Sequence, residues 1–154
     1  MWYGQPPFAR PTAVQPTEAL TDLKQISVQI VHALLTDRDG ALVASTLDAQ
    51  PAAERLAMLS RELWQAAEEA RAELGRDELV QLEAATAEGS VFLTRDDRHG
   101  IVATTGRDPT VGLVFYDLKA CLRSLAQENG RAAAVADRPT APEAPEEGSP
   151  DAAA

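Results

Sequence analysis

From residue 52 to residue 74 the sequence reads AAERLAMLSRELWQAAEEARAEL, with apolar positions recurring at helical spacing. Leu56, Leu59, Leu63, Ala66, Ala70 and Leu74 fall on one stripe. Beside it runs a second ribbon of small residues, Ala53, Ala57, Ser60 and Ala67, with Trp64 among them. The charges Arg61, Glu62, Glu68, Glu69 and Glu73 take the remaining side. A helix covering one sheet needs a single apolar stripe, so the leucine stripe is assigned to the core. The ribbon is then left for a second contact, where small side chains let another backbone approach and Trp64 buries a large area. Pro51 opens the helix and Gly75 closes it, each at the terminus where it is favoured.

The rest of the chain falls into shorter elements around this helix. Thr17 is placed to cap a helix carrying Leu20, Leu23 and Ile26. VQIVHALLT, residues 28–36, is apolar on both faces, as an interior strand is, with His32 on the same face as Ile30 and Leu34. Asp37-Arg38-Asp39-Gly40 is a turn, and Ala41–Thr46 the returning strand. After the central helix, Glu78–Ala85 alternates Val80, Leu82 and Ala84 with Gln81 and Glu83, the pattern of a strand near an edge. Ser90–Arg95 and Ile101–Thr105 complete a three-strand meander, turning at Glu88-Gly89 and at Asp96–Gly100. Asp108 as N-cap and Pro109 as first residue open a last helix ending near Gly130. Its buried face is Val111, Val114, Phe115, Leu118, Leu122 and Leu125. The order is α-ββ-α-βββ-α, an α+β arrangement.

The two ends differ from this pattern. Residues 1–16 hold Pro6, Pro7, Pro11 and Pro16 with Trp2, Tyr3 and Phe8, and read as a disordered Pro/aromatic leader. Residues 131–154 are rich in Ala, Pro, Glu and Asp and read as a disordered acidic tail. The folded domain is therefore expected over 17–130.

Charge narrows the partners. With 14 Lys+Arg against 24 Asp+Glu the formal net charge is −10, which disfavours nucleic acid and anionic membrane. No apolar run is long enough to cross a bilayer, and the N-terminus lacks the basic and apolar regions of a signal peptide. The reading is a soluble cytoplasmic protein without membrane insertion.

Reactive chemistry has no motif to stand on. The single cysteine, Cys121, excludes an internal disulfide and a zinc cluster, and its place beside Leu122 reads as packing. His32 reads as a packing residue and His99 as an exposed loop residue beside Asp97. Asp37 and Asp39 lack the further ligands of a calcium loop. Glu68-Glu69 and Asp96-Asp97 read as solvated faces rather than a tuned carboxylate pair. Ser45, Ser60 and Ser90 stand in no nucleophile elbow, and no phosphate-binding glycine loop occurs. No catalytic residue, cofactor or metal site is expected.

Three stretches together resemble the roadblock family, which includes dynein light chains and bacterial regulators of Ras-like GTPases. They are the first helix leading into VQIVHALLTDRDGALVAST, the long central helix, and IVATTGRDPTVGLVFYDLKACLRSL with Gly112, Leu113 and Arg123. The similarity runs from about Leu20 to Leu125; Ser27 stands where the family commonly has glycine. The resemblance implies a profilin-like fold: a five-stranded antiparallel sheet with the central helix on one face and the terminal helices on the other. It also implies a homodimer with paired central helices and sheets joined edge to edge. The ribbon of Ala53, Ala57, Ser60, Trp64 and Ala67 is the expected interface. Function would then be a non-catalytic regulator or scaffold of a small Ras-like GTPase, bound through Arg61, Glu62, Gln65, Glu68 and Glu69 on the exposed side of the central helix. A competing reading is a small-ligand sensory module of profilin- or PAS-like fold, with His32 as the polar group of a cavity on the sheet.

Overall fold

A computed structural model describes residues 15–137. Eight elements follow in the expected order: α1 (Pro16–Ile26), β1 (Ile30–Asp37), β2 (Leu42–Ser45), α2 (Gln50–Glu73), β3 (Gln81–Ala85), β4 (Ser90–Arg95), β5 (His99–Thr105) and α3 (Val111–Ala136). The strands form one antiparallel sheet in the order β2-β1-β5-β4-β3. The first and second hairpins thus lie side by side through β1 and β5, and β2 and β3 are the two edges. The link from β2 to β3 must cross the sheet, and α2 makes that crossing. Its 24 residues rise about 36 Å, more than the roughly 19 Å width of five strands.

Alternation along the strands separates two cores. Ala33, Leu35, Phe92, Ile101 and Ala103 point to one face, where α1 and α3 cover them with Leu20, Leu23, Val114, Phe115, Leu118, Leu122 and Leu125. Leu34, Leu93 and Val102 point to the other, where α2 covers them with Ala57 and Trp64. Phe92 and Phe115 meet edge to face, their centroids 5.1 Å apart.

Several local expectations are corrected. β1 begins at Ile30, and Val28 stands 90% exposed before it. Ile30 pairs with Thr105 while His32 pairs with Thr104, so Val31 is an extra residue in a β-bulge. The bulge shifts the alternation by one: Ile30 joins the α1/α3 core while Leu34 faces α2, so the two do not share a face. Pro16 already belongs to α1, whose N-cap is Gln15, and Thr17 makes no cap. Ile26 is exposed rather than core. Asp108 takes a positive φ of 52° in the loop, and Thr110 is the N-cap of α3. The Gln29 side-chain oxygen accepts the Thr110 N–H at 2.6 Å, tying the start of α3 to the turn after α1. α3 continues through Gly130 to Ala136, because the alanine-rich RAAAVA favours helix strongly enough to carry it past one glycine. The leader over 1–14 and the tail over 138–154 lie outside the described residues.

Candidate functional site

The two ribbons of α2 take opposite places from those expected. Ala53, at 0% exposure, with Ala57, Ser60 and Trp64, at 5%, is the buried face, packed on the chain's own sheet; Ala67 is half-buried beside them. The leucine stripe faces out: Leu59 is 44% exposed, Leu63 39% and Leu74 74%, with Ala66 and Ala70 exposed and Leu56 half-buried. Small residues do let a backbone approach closely, but the backbone they admit is that of the sheet. Ala53, Ala57, Ser60 and Trp64 are therefore occupied within the chain, and the surface left over on α2 is leucine. Beyond Trp64 no residue of α2 is buried, as its length beyond the sheet requires.

The polar flank is where the charge pattern placed it. Arg61, Glu62, Gln65 and Glu69 are exposed. Glu68 is half-buried and receives the Arg71 Nε–H at 2.6 Å, an i,i+3 pair on the helix surface worth little in stability. Arg61 lies under the β1–β2 turn: Gly40 has φ +87°, and a Cβ there would come 2.8 Å from the Arg61 Cδ. The glycine thus serves both the turn conformation and the passage of the arginine stem.

Around Arg61 and Trp64 lies a recess of about 350 Å³ between α2 and the ends of the two hairpins. Both turns are held by aspartates. Asp37 Oδ1 accepts the amides of Asp39 and Ala41, each at 2.9 Å. Asp96 Oδ1 accepts those of Arg98 and His99, at 2.9 and 2.8 Å. Thr36 opposite Gly100 and Asp37 opposite His99 set the turns next to each other. The Arg95 guanidinium stacks over the Trp64 ring, 4.6 Å from its centroid. Trp64 Nε1 is buried without a hydrogen-bond partner, a situation that costs about 1–3 kcal/mol. Sequence reasoning missed this recess, although period-two alternation from Leu93 places Arg95 on the α2 face.

Of the remaining candidates, His32 and Cys121 stand apart from it. His32 is half-buried on β1 with Nδ1 unpartnered, and it does not line the recess; His99 does. His32, the polar group named for the competing small-ligand reading, thus lies outside the recess. Cys121 packs against the α1/α3 core, its Sγ 3.8 Å from the Ala19 carbonyl oxygen. Burial, and secondly the charge of Asp22, push its thiol up to about 11, which keeps it protonated and unreactive near neutral pH. Among the described residues no group of His, Cys, Asp and Glu is placed to hold a metal ion, and no helix is long and apolar enough to cross a membrane.

Similarity to known proteins bears on the fold just described. A model of the Roadblock/LC7 domain matches residues 17–105, from α1 through β5. No curated protein matches the chain. Among solved structures, a Roadblock/LC7 domain from Streptomyces avermitilis superposes with a TM-score of 0.67 at 16% identity, covering 74% of this chain and 97% of that one. MglB of Myxococcus xanthus gives 0.66 at 18% identity, over 82% and 96% of the two chains. The gliding protein MglB from Thermus thermophilus gives 0.64 at 18%, over 81% and 95%. At these identities the structures speak for the fold, and the family model speaks for descent. Element order, sheet order and the match over residues 17–105 coincide, and the chain belongs to the Roadblock/LC7 domain family.

Proposed function

We propose that the chain is a homodimeric, non-catalytic regulator or scaffold of a small Ras-like GTPase. The observation that carries this reading is the outward leucine stripe of α2, Leu59 and Leu63 with half-buried Leu56 and the alanines beside them. Fully burying one such leucine contributes about 1.5–3 kcal/mol, and a two-fold axis through the stripe buries every residue twice. The interface proposed here thus replaces the small-residue ribbon with the leucines next to it. The exposed edge β3 supplies a second place for two copies to meet.

Membership of the Roadblock/LC7 family supports the GTPase as partner. Of the polar residues of α2, Glu62 and Glu69 border the leucine stripe, whereas Arg61, Gln65 and Glu68 lie at helical angles farther round, Arg61 against the β1–β2 turn. Pairing two α2 helices through the leucines brings Glu62 and Glu69 of both copies to one surface, with Arg61, Gln65 and Glu68 flanking it on each protomer, and we take this surface as the seat of one GTPase on two protomers. The acidic majority calls for a basic patch on the partner, with association slowed by salt. The test is capture of proteins from the native host on the immobilised full chain, followed by binding of the recovered GTPase loaded with GTP or GDP. The reading expects a small GTPase that binds directly, two protomers to one, with any stimulated hydrolysis surviving Arg61→Ala to within about tenfold. Recovery of no GTPase, or a several-hundredfold loss of hydrolysis in Arg61→Ala with binding intact, overturns it.

A further inference from the structure

We propose that the recess between α2 and the two hairpin turns binds a small molecule carrying a carboxylate or phosphate group, held by Arg61 and Arg95. The proposal goes beyond the GTPase reading and does not depend on it. Its first support is the state of the arginines. Arg38, Arg61 and Arg95 all line the recess, and among the described residues none of them makes an ion pair or a hydrogen bond. Asp37, Asp39, Glu78, Asp96 and Asp97 line the same recess, so what sets it apart is not an excess of basic residues but guanidinium groups that these carboxylates leave unpaired.

The second support is that two of them are held in place. Arg95 is stacked on the indole of Trp64, which orients its planar fork and leaves the edge free for a bidentate acceptor. Arg61 has its stem confined by the close approach of Gly40. The nearby carboxylates do not take up these donors. Asp37 and Asp96 each turn an oxygen to two backbone amides. Asp39, Asp97 and Glu78 stand exposed and form no ion pair with the arginines. Trp64 Nε1 is itself enclosed and without a partner, so it stands beside the recess as a reporter of what binds there and not as a further ligand donor. Donors without acceptors call for a ligand that brings acceptors, and about 350 Å³ matches the lower range of small-molecule sites.

The test follows the Trp64 Nε1–H resonance of the full chain, told apart from that of Trp2 by Trp2→Phe. Sodium phosphate or sodium succinate is added with ionic strength held constant by sodium chloride, so that the two arms separate phosphate from carboxylate. The expected result is a saturable shift with at least one of them. Its midpoint rises by about tenfold or more in Arg61→Gln and in Arg95→Gln, the loss of one charge-assisted pair, and stays unchanged in Arg107→Gln outside the recess. A resonance that moves with neither salt beyond the chloride control, or a midpoint unaltered in both recess variants, overturns the proposal.

Discussion

Arg95, the last residue of β4, lays its guanidinium 4.6 Å from the centre of the Trp64 ring on α2. The contact joins the sheet to the helix at the point where the helix leaves its cover, since no residue of α2 beyond Trp64 is buried. Trp64 also fills the floor there, against Leu34, Leu93 and Val102.

Trp64→Ala is expected to lower stability to chemical denaturation by about 3–5 kcal/mol, the usual loss for a buried large aromatic. Arg95→Gln removes only the stacking of an exposed cation, about 0.5–1 kcal/mol. In a double-mutant cycle the loss from Arg95→Gln vanishes once Trp64 is alanine.

Gly40 and Gly75 both have positive φ, +87° and +63°, but only Gly40 has a neighbour in the way, the Arg61 stem. Gly75→Ala is expected to cost about 1–2 kcal/mol for the left-handed conformation alone. Gly40→Ala costs more, and combining it with Arg61→Ala lowers its penalty towards the Gly75→Ala level without reaching it, because the Cβ at position 61 would still stand 3.1 Å away. Urea unfolding of the four variants checks the order.

Cys121 gives the chain a pH dependence at the alkaline end. Its pKa in the folded chain, about 11, lies above the ordinary value of 9.0. The unfolded chain therefore releases the thiol proton first as pH rises. The contribution to stability is fully present below pH 9 and is lost as pH climbs towards 11. Thermal midpoints between these limits should fall less steeply in Cys121→Ala than in the unaltered chain, and thiol alkylation of the folded protein should be slow at neutral pH.

Much of this fold was legible. The apolar run in SVFLTR, bounded by two turns, gives β4 over Ser90–Arg95, and the alternation read over Glu78–Ala85 marks β3 as an edge, although the strand itself starts only at Gln81. Val114, Phe115, Leu118, Leu122 and Leu125 lie on the buried face of α3 as their spacing requires, while Val111, counted with them, is 38% exposed at the first turn. What failed has a common cause: periodicity tells that a helix has two apolar ribbons, not how close each lies to its neighbour. On α2 the sheet comes near enough to need Ala53, Ala57 and Ser60, and leucines at that distance would overpack. The extra residue at Val31 is equally silent in composition, yet it turns Ile30 to the opposite face from the one its spacing to Leu34 implies. The recess needs Gly40, Arg61, Trp64 and Arg95 from three separated stretches, and no short motif announces it.

The central claim is that two copies of the chain meet through the leucine stripe of α2. Light scattering on the full chain at micromolar concentration, with circular dichroism to verify the fold, tests it most directly. The expected result is a dimer that becomes a folded monomer in Leu59→Glu/Leu63→Glu, because charges in a desolvated interface cost several kcal/mol while exposed positions of the free chain tolerate them. A monomer for the unaltered chain, or a dimer that persists in the double variant, would contradict it.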